Sequence, residues 1–331
     1  MTIVLTEPQR RRAQDFNQRV VAPHPHREAY IRELRRHVGL GEAGALDGDF
    51  AQALANWQEQ HPNSVASRRF DGLLRPRTEA HLGIRLSEME NLARRAESYW
   101  RAGGVFYDSW GNDGRDNDSD GAVDEADEQT SDGAHWGRVY QGFGTGDGGR
   151  VVAPTNAQYQ YQFCSDLVSN AVRDEGIVRG GFARAYQFGG GALDAVAYKF
   201  VRSSDYPERY MRGDIIGYND RPESQGGHGG HVGIVIQDDA TGGGSIAPLV
   251  INLPGPSHLT SPAAASYYRA NGEHADGRPA GVRGDIVREQ WPADRLDVDR
   301  IPARHQFLIR LVCTRLHRGG RRPSLPRARA R

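Results

Sequence analysis

The run HVGIVIQ at 231–237 constrains the fold of this chain more than any other stretch. Apolar residues alternate along it, so Val232, Ile234 and Ile236 share one face of an extended strand while His231, Gly233 and Val235 share the other. A strand needs neighbours. MRGDIIGYND at 211–220 reads as one, entered through Gly213 and Asp214; PLVINL at 248–253 reads as another, reaching Asn252; HQFLIRLVC at 305–313 completes the sheet. Burial alone has no use for an imidazole at the mouth of such a strand, which makes His231 a candidate for chemistry. Gly233 removes a side chain where a helix end could come close. His228, in the glycine-rich approach GGHGG, has no such setting and reads as a loop histidine.

The chain has two cysteines, too few for a disulfide framework. Cys313 lies inside an apolar run and reads as a small buried hydrophobe. Cys164 is different. In CSDLVSNAVRDEG at 164–176 the residues Leu167, Val168, Ala171 and Val172 recur at helical spacing, which places the thiol at the start of a helix ending at Gly176. The partial positive charge of a helix N-terminus favours a thiolate, and its free N–H groups can hold an oxyanion. A small buried cysteine is the competing reading.

Upstream of residue 104 the pattern is helical. Tyr30, Ile31, Leu34 and Val38 fall on one face of a helix over 27–40 with Gly41 as its stop. Asp49 can cap a second helix carrying Phe50, Leu54 and Trp57, and Pro76 suits the first turn of a third that runs to Leu82. Ser87 with Glu90 forms a capping-box signature for a longer helix bearing Leu86, Met89, Leu92, Ala96 and Trp100 and stopping at Gly103 and Gly104.

Two resemblances follow from these residues. FAQALANWQEQ followed by DGLLRPRTEAHLG resembles the helical peptidoglycan-binding module found beside cell-wall hydrolases, in which an aromatic-Gln pair precedes an Asp-Gly turn and a Pro-x-Thr helix start. Arg75 stands where that family usually has glycine before the proline. From 159 to 252, the ordered set of a helix-start cysteine, a Gly-Asp strand, a His-Val-Gly-Ile strand and a polar residue on the next strand resembles the NlpC and CHAP cell-wall cysteine peptidases and amidases. That resemblance implies a papain-like fold with Cys164 as nucleophile, His231 as base and Asn252 orienting the imidazole, with Ser257 or His258 as alternatives for the third position. It also implies substrate contacts from the segment around the nucleophile, at Tyr161, Ser165 and Asp166. Many NlpC-type endopeptidases have aspartate just before the cysteine, whereas this chain has Phe163.

Between the helical and strand-rich parts lies GNDGRDNDSDGAVDEADEQTSDG at 111–133. With Gly121 as the sixth position of a calcium loop, Asp116, Asp118 and Asp120 become positions one, three and five and Asp127 the twelfth, with the carbonyl of Ala122 available as a further ligand. A hard cation needs several oxygens converging on one point, and glycine permits the sharp turn between them. The expected cofactor is a structural calcium, with a solvated acidic linker as the alternative.

These patterns predict an α+β chain divided as an N-terminal segment at 1–26, a peptidoglycan-binding-like helical module at 27–86, a connector helix with the acidic loop at 87–150, a papain-like cysteine hydrolase domain at 151–318 and a basic, disordered tail at 319–331. Lys+Arg and Asp+Glu both number 42, so no global field draws the protein to nucleic acid. The opening MTIVLTEPQRRRAQDF reverses the order of a secretory signal, and no run is long enough to span a membrane. The expected function is cleavage of an amide or peptide bond of peptidoglycan by a monomer made in the cytoplasm. Release as a phage lysin or delivery as an antibacterial toxin by a secretion or injection apparatus would bring it to the wall or periplasm. The rival is a wall-binding or structural protein whose papain-like domain is inactive.

Overall fold

The structure, a computed structural model, describes residues 3–24, 26–84, 86–103, 106–107, 144–145, 151–152, 161–162, 164–178, 183, 185–202, 210–219, 230–237, 248–253, 272–273, 286–291 and 305–313. Helix α1 spans Glu7–Val21, where the sequence reading assigned no element. Its start is encoded by Pro8 in the first turn and by Gln9, whose Oε1 accepts the Thr6 N–H at 2.8 Å. Helix α2 (Arg27–His37) ends two residues before Gly39, which takes a φ of 78°, so the stop is Gly39 rather than Gly41. Helix α3 (Gly48–Gln60) is capped by Asp47, whose Oδ1 accepts the Phe50 N–H at 2.9 Å. The expected cap, Asp49, lies inside the first turn instead. Helix α4 (Pro76–Leu82) has the expected bounds and closes on Gly83.

The motif residues of the helical part hold one another. Gln58, after Trp57, accepts the Gly72 N–H at 3.0 Å through its amide oxygen and donates to Leu73 O at 3.1 Å and Thr78 Oγ1 at 3.2 Å. One buried amide therefore ties α3 to the Asp71-Gly72 turn and to the start of α4. Gly72 adopts a φ of 68° with its Cα pressed against the carbonyl of Ala51, where a Cβ would collide. Asn17 joins α1 to the same turn, donating to Gly72 O at 2.8 Å and accepting from Leu74 N at 2.7 Å. Arg75 clamps Asp71 with two bonds of 2.8 and 2.7 Å.

Helix α5 (Ser87–Ala102) buries Met89, Leu92, Ala93, Ala96, Tyr99 and Trp100. Leu86 occupies its N-cap, and Ser87, already helical, donates to Glu88 at 3.1 Å; the expected Ser87–Glu90 capping box does not form. Glu90 accepts from Arg212 at 2.9 Å instead.

Four two-residue strands follow: β1 (Phe106–Tyr107), β2 (Gly144–Thr145), β3 (Val151–Val152) and β4 (Tyr161–Gln162), paired β1 with β4 and β2 with β3. Helix α6 (Cys164–Asp174) and the short α7 (Ala185–Gly189) precede a seven-stranded sheet. Its members are β5 (Ala197–Val201), β6 (Ile215–Tyr218), β7 (His231–Val235), β8 (Leu249–Asn252), β9 (Gly272–Glu273), β10 (Val287–Gln290) and β11 (Gln306–Leu311), in the spatial order β5-β11-β6-β7-β8-β10-β9. Every pairing in this sheet is antiparallel, so the chain is an α+β protein. The stretch between β8 and β11 contributes β9 and β10 to the sheet.

The sheet separates two apolar layers. On one face Val232, Ile234 and Ile251 join Leu167, Val168 and Ala171 of α6 in a cluster that continues through Met89, Leu92 and Tyr99 of α5 to Leu34 and Tyr30 of α2. The helical part and the sheet thus share one core, although the sequence divided them into separate modules. On the other face Ile216, Val235, Val250 and Leu308 pack with Phe200 and Trp291. A buried ion pair pins the junction: Arg310 of β11 meets Asp214 at 2.9 and 2.7 Å and donates to Ala80 O of α4 at 3.0 Å. Glu79 accepts both the Tyr30 hydroxyl, at 2.5 Å, and the Cys313 N–H, at 2.9 Å. No helix among the described residues is long and apolar enough to cross a membrane.

Candidate active site

Cys164 is the first residue of α6 and Leu167, Val168, Ala171 and Val172 form the stripe that seats the helix on β7. The thiol is 3 % exposed, and its Sγ lies 3.9 Å from Gly230 O. Burial pushes its pKa up to about 12, helped by the charge of Asp166, while the N–H groups of Val232, Ser165 and Cys164 itself pull the other way. Gly230 and Val232 flank His231. The thiol is therefore held by the backbone on either side of the candidate base. At the far end of β7, Gly213 donates to Val235 O at 2.8 Å and keeps the turn before β6 tight, with a φ of 93° and its Cα against the backbone of Met89.

His231 is wholly buried at the first position of β7. Its Nε2 is 2.9 Å from Asn252 Oδ1, because β7 and β8 pair with Gly233 opposite Asn252 and the side chains of 231 and 252 lie on one sheet face. Gly233 leaves room for this contact. A Cβ there would come within 2.6 Å of Val250 Cγ1 and 3.0 Å of Asn252 Cβ, so the glycine accommodates the neighbouring strand rather than the end of α6. The imidazole also sits 5.6 Å, centroid to centroid, from the Trp291 indole and 6.1 Å from the Tyr218 ring. These neighbours belong to the face of Val235 and Val250, whereas the stripe of α6 covers the face of Val232 and Ile234. Helix α6 brings its first residue to the edge of β7 beside His231, while the ring itself lies among Asn252, Trp291 and Tyr218.

Behind Asn252 stands a residue that the sequence reading passed over. Glu289 of β10 is fully buried and accepts Asn252 Nδ2 at 2.6 Å and Trp291 Nε1 at 2.5 Å, both on Oε1. The signal for this strand was present in the sequence: RGDI at 283–286 repeats RGDI at 212–215, which opens β6.

Ser165 and Asp166, expected to touch substrate, are buried in this structure at 4 % and 0 % exposure. Both side chains belong to the buried first turn of α6, beside Cys164 at 3 %. Tyr161 lies in β4. Phe163, His228, Ser257 and His258 fall outside the described residues, as do the calcium-loop candidates Asp116, Asp118, Asp120, Ala122 and Asp127. Among the described residues no group of three or more His, Cys, Asp or Glu side chains could hold a metal ion.

No family model, curated protein or solved structure matches the chain.

Proposed function

We propose that the protein is a papain-like cysteine hydrolase that cleaves an amide or peptide bond of bacterial peptidoglycan, with Cys164 as nucleophile, His231 as base and Asn252 as the group that orients the ring. The observation that carries this reading is the His231–Asn252 contact of 2.9 Å, on a strand whose edge groups on both sides of His231 engage the thiol of a helix-start cysteine. The chemistry it supports is covalent. His231 takes the Cys164 proton, the thiolate attacks the carbonyl carbon, and the protonated imidazole returns the proton to the leaving amine; water then hydrolyses the thioester by the same base. The first N–H groups of α6 supply donors for the oxyanion. The helical part, with the residues of a peptidoglycan-binding module around Gln58 and Gly72, would keep the enzyme on its insoluble polymer, and the acidic loop would hold one structural calcium.

One observation favours the rival reading of an inactive scaffold. A thiol 3 % exposed whose pKa is pushed up to about 12 is neutral at pH 7 in the resting protein. Mass spectrometry of purified peptidoglycan incubated with the wild type and with Cys164→Ala separates the two. The hydrolase releases defined fragments that the variant does not. No release from the wild type would leave the scaffold standing, and the same fragments from both proteins would remove Cys164 from the mechanism.

A further inference from the structure

The His231–Asn252 pair is undetermined by itself, since an asparagine amide can offer a ring nitrogen either its oxygen or its NH2 group. The strand beyond it removes the ambiguity. Trp291 Nε1 can only donate and an ionised carboxylate can only accept, so with Glu289 ionised its Oε1 is an acceptor for every group on it. The second group on that oxygen is Asn252 Nδ2, at 2.6 Å. With its NH2 directed to Glu289, Asn252 has only Oδ1 left for the ring, and His231 Nε2 must carry the hydrogen. Nδ1 is then the basic nitrogen.

We propose that Glu289 is a positioning residue that fixes the orientation of the Asn252 amide and, through it, the Nε2–H tautomer of His231. It acts through Asn252, which it meets at 2.6 Å. Register places it: Glu289 of β10 lies opposite Val250 of β8, on the face of Asn252, so the hydrogen-bonding side chains of Asn252, Glu289 and Trp291, the residue just past β10, meet in an apolar layer. In such surroundings a hydrogen-bond chain has few alternatives, because any member turned the wrong way leaves a buried polar group unsatisfied. The catalytic meaning of the tautomer rests on the hydrolase reading. The tautomer itself does not.

The test is nitrogen-15 NMR on the full-length protein at a pH where the imidazole is neutral. Wild type should show His231 in the Nε2–H form alone. In Glu289→Leu the Trp291 N–H loses its acceptor, the Asn252 oxygen turns to it, and the NH2 group then faces the ring, so the Nδ1–H form should appear. Glu289→Gln retains an oxygen for both donors and should restore the wild-type tautomer, but a neutral acceptor is weaker than a charged one, so the Asn252 side-chain amide proton should move upfield. Wild type in the Nδ1–H form, or Glu289→Leu in the Nε2–H form alone, would overturn the proposal. If Glu289→Leu does not fold, an Asn252 amide resonance unmoved in Glu289→Gln would overturn it. A protein with these NMR responses that cleaves no peptidoglycan would uphold the role of Glu289 while sinking the hydrolase reading.

Discussion

Cys164 stands between two opposing influences. The helix start and the Val232 N–H favour its thiolate, and burial opposes it more strongly. The sign of the pH dependence follows. A thiol whose folded pKa lies above its ordinary value favours the protonated native state, so this contribution is fully present below the ordinary value of 9.0 and is lost as pH rises toward about 12. Alkylation of Cys164 by iodoacetamide should accelerate with pH well past neutrality, without the early plateau of a thiolate already formed at pH 7. Cys313 is more weakly placed to react, because Glu79 adds its charge to the burial that pushes the thiol up. Removing the proposed base, His231→Ala, should lower fragment release by about 10² to 10⁴-fold. Asn252→Ala should cost less and leave activity measurable above that of His231→Ala, since it removes the orienting group and not the base. Equal losses in the two variants would move Asn252 from orientation into the chemical step.

Elements were legible where their boundaries rest on local signals. Pro76 and Gly83 delimit α4, and the alternation of HVGIVIQ marks β7, because dihedral preferences and periodicity act over a few residues. Caps were less legible. Asp47 and Asp49 are both acidic and adjacent to the same turn, and only tertiary placement decides which side chain reaches the Phe50 N–H. Asp47→Ala should therefore destabilise the protein by about 1 kcal/mol in thermal or urea unfolding, while Asp49→Ala should be nearly silent. Helix α1 escaped notice because its buried face includes Ala13 and Asn17, which give little hydrophobic periodicity. In the candidate site, the cysteine, the histidine and the asparagine were visible because each sits at a recognisable point of an element. Glu289 was not, because its significance depends on β10 pairing with β8, a contact that no local spacing announces. The layer in which the imidazole lies was illegible for the same reason: the alternation of β7 separates two faces and does not say which one α6 covers.

At the level of the whole molecule the helical part and the sheet cannot be separated without cost. Helix α5 contributes Met89, Leu92, Ala96 and Tyr99 to the core that α6 and β7 also build, and its surface is bound by Arg212 to Glu90 and Glu97 and by Arg95 to Glu175. A chain truncated to begin near Gly149 should lose cooperative melting and bind a hydrophobic dye, rather than behave as an independent catalytic domain. A sharp unfolding transition close to that of the full chain would show that the sheet folds alone. The ion pair between Arg310 and Asp214 tests the same junction. Arg310→Met leaves a buried carboxylate without its guanidinium and should cost about 3 to 5 kcal/mol in urea unfolding. Replacing both partners with apolar residues should recover part of that loss.

The place of β11 has a consequence for when the protein becomes whole. This strand lies between β5 and β6, yet it is made after every other member of the sheet. Among the described strands β5 pairs with β11 alone, so during synthesis it waits for residues 306–311 to leave the ribosome, and Asp214 waits equally long for Arg310. Assembly therefore ends with the insertion of a late strand into an interior gap, so a nascent chain stalled before residue 306 would carry Cys164, His231, Asn252 and Glu289 on an open, unfinished sheet.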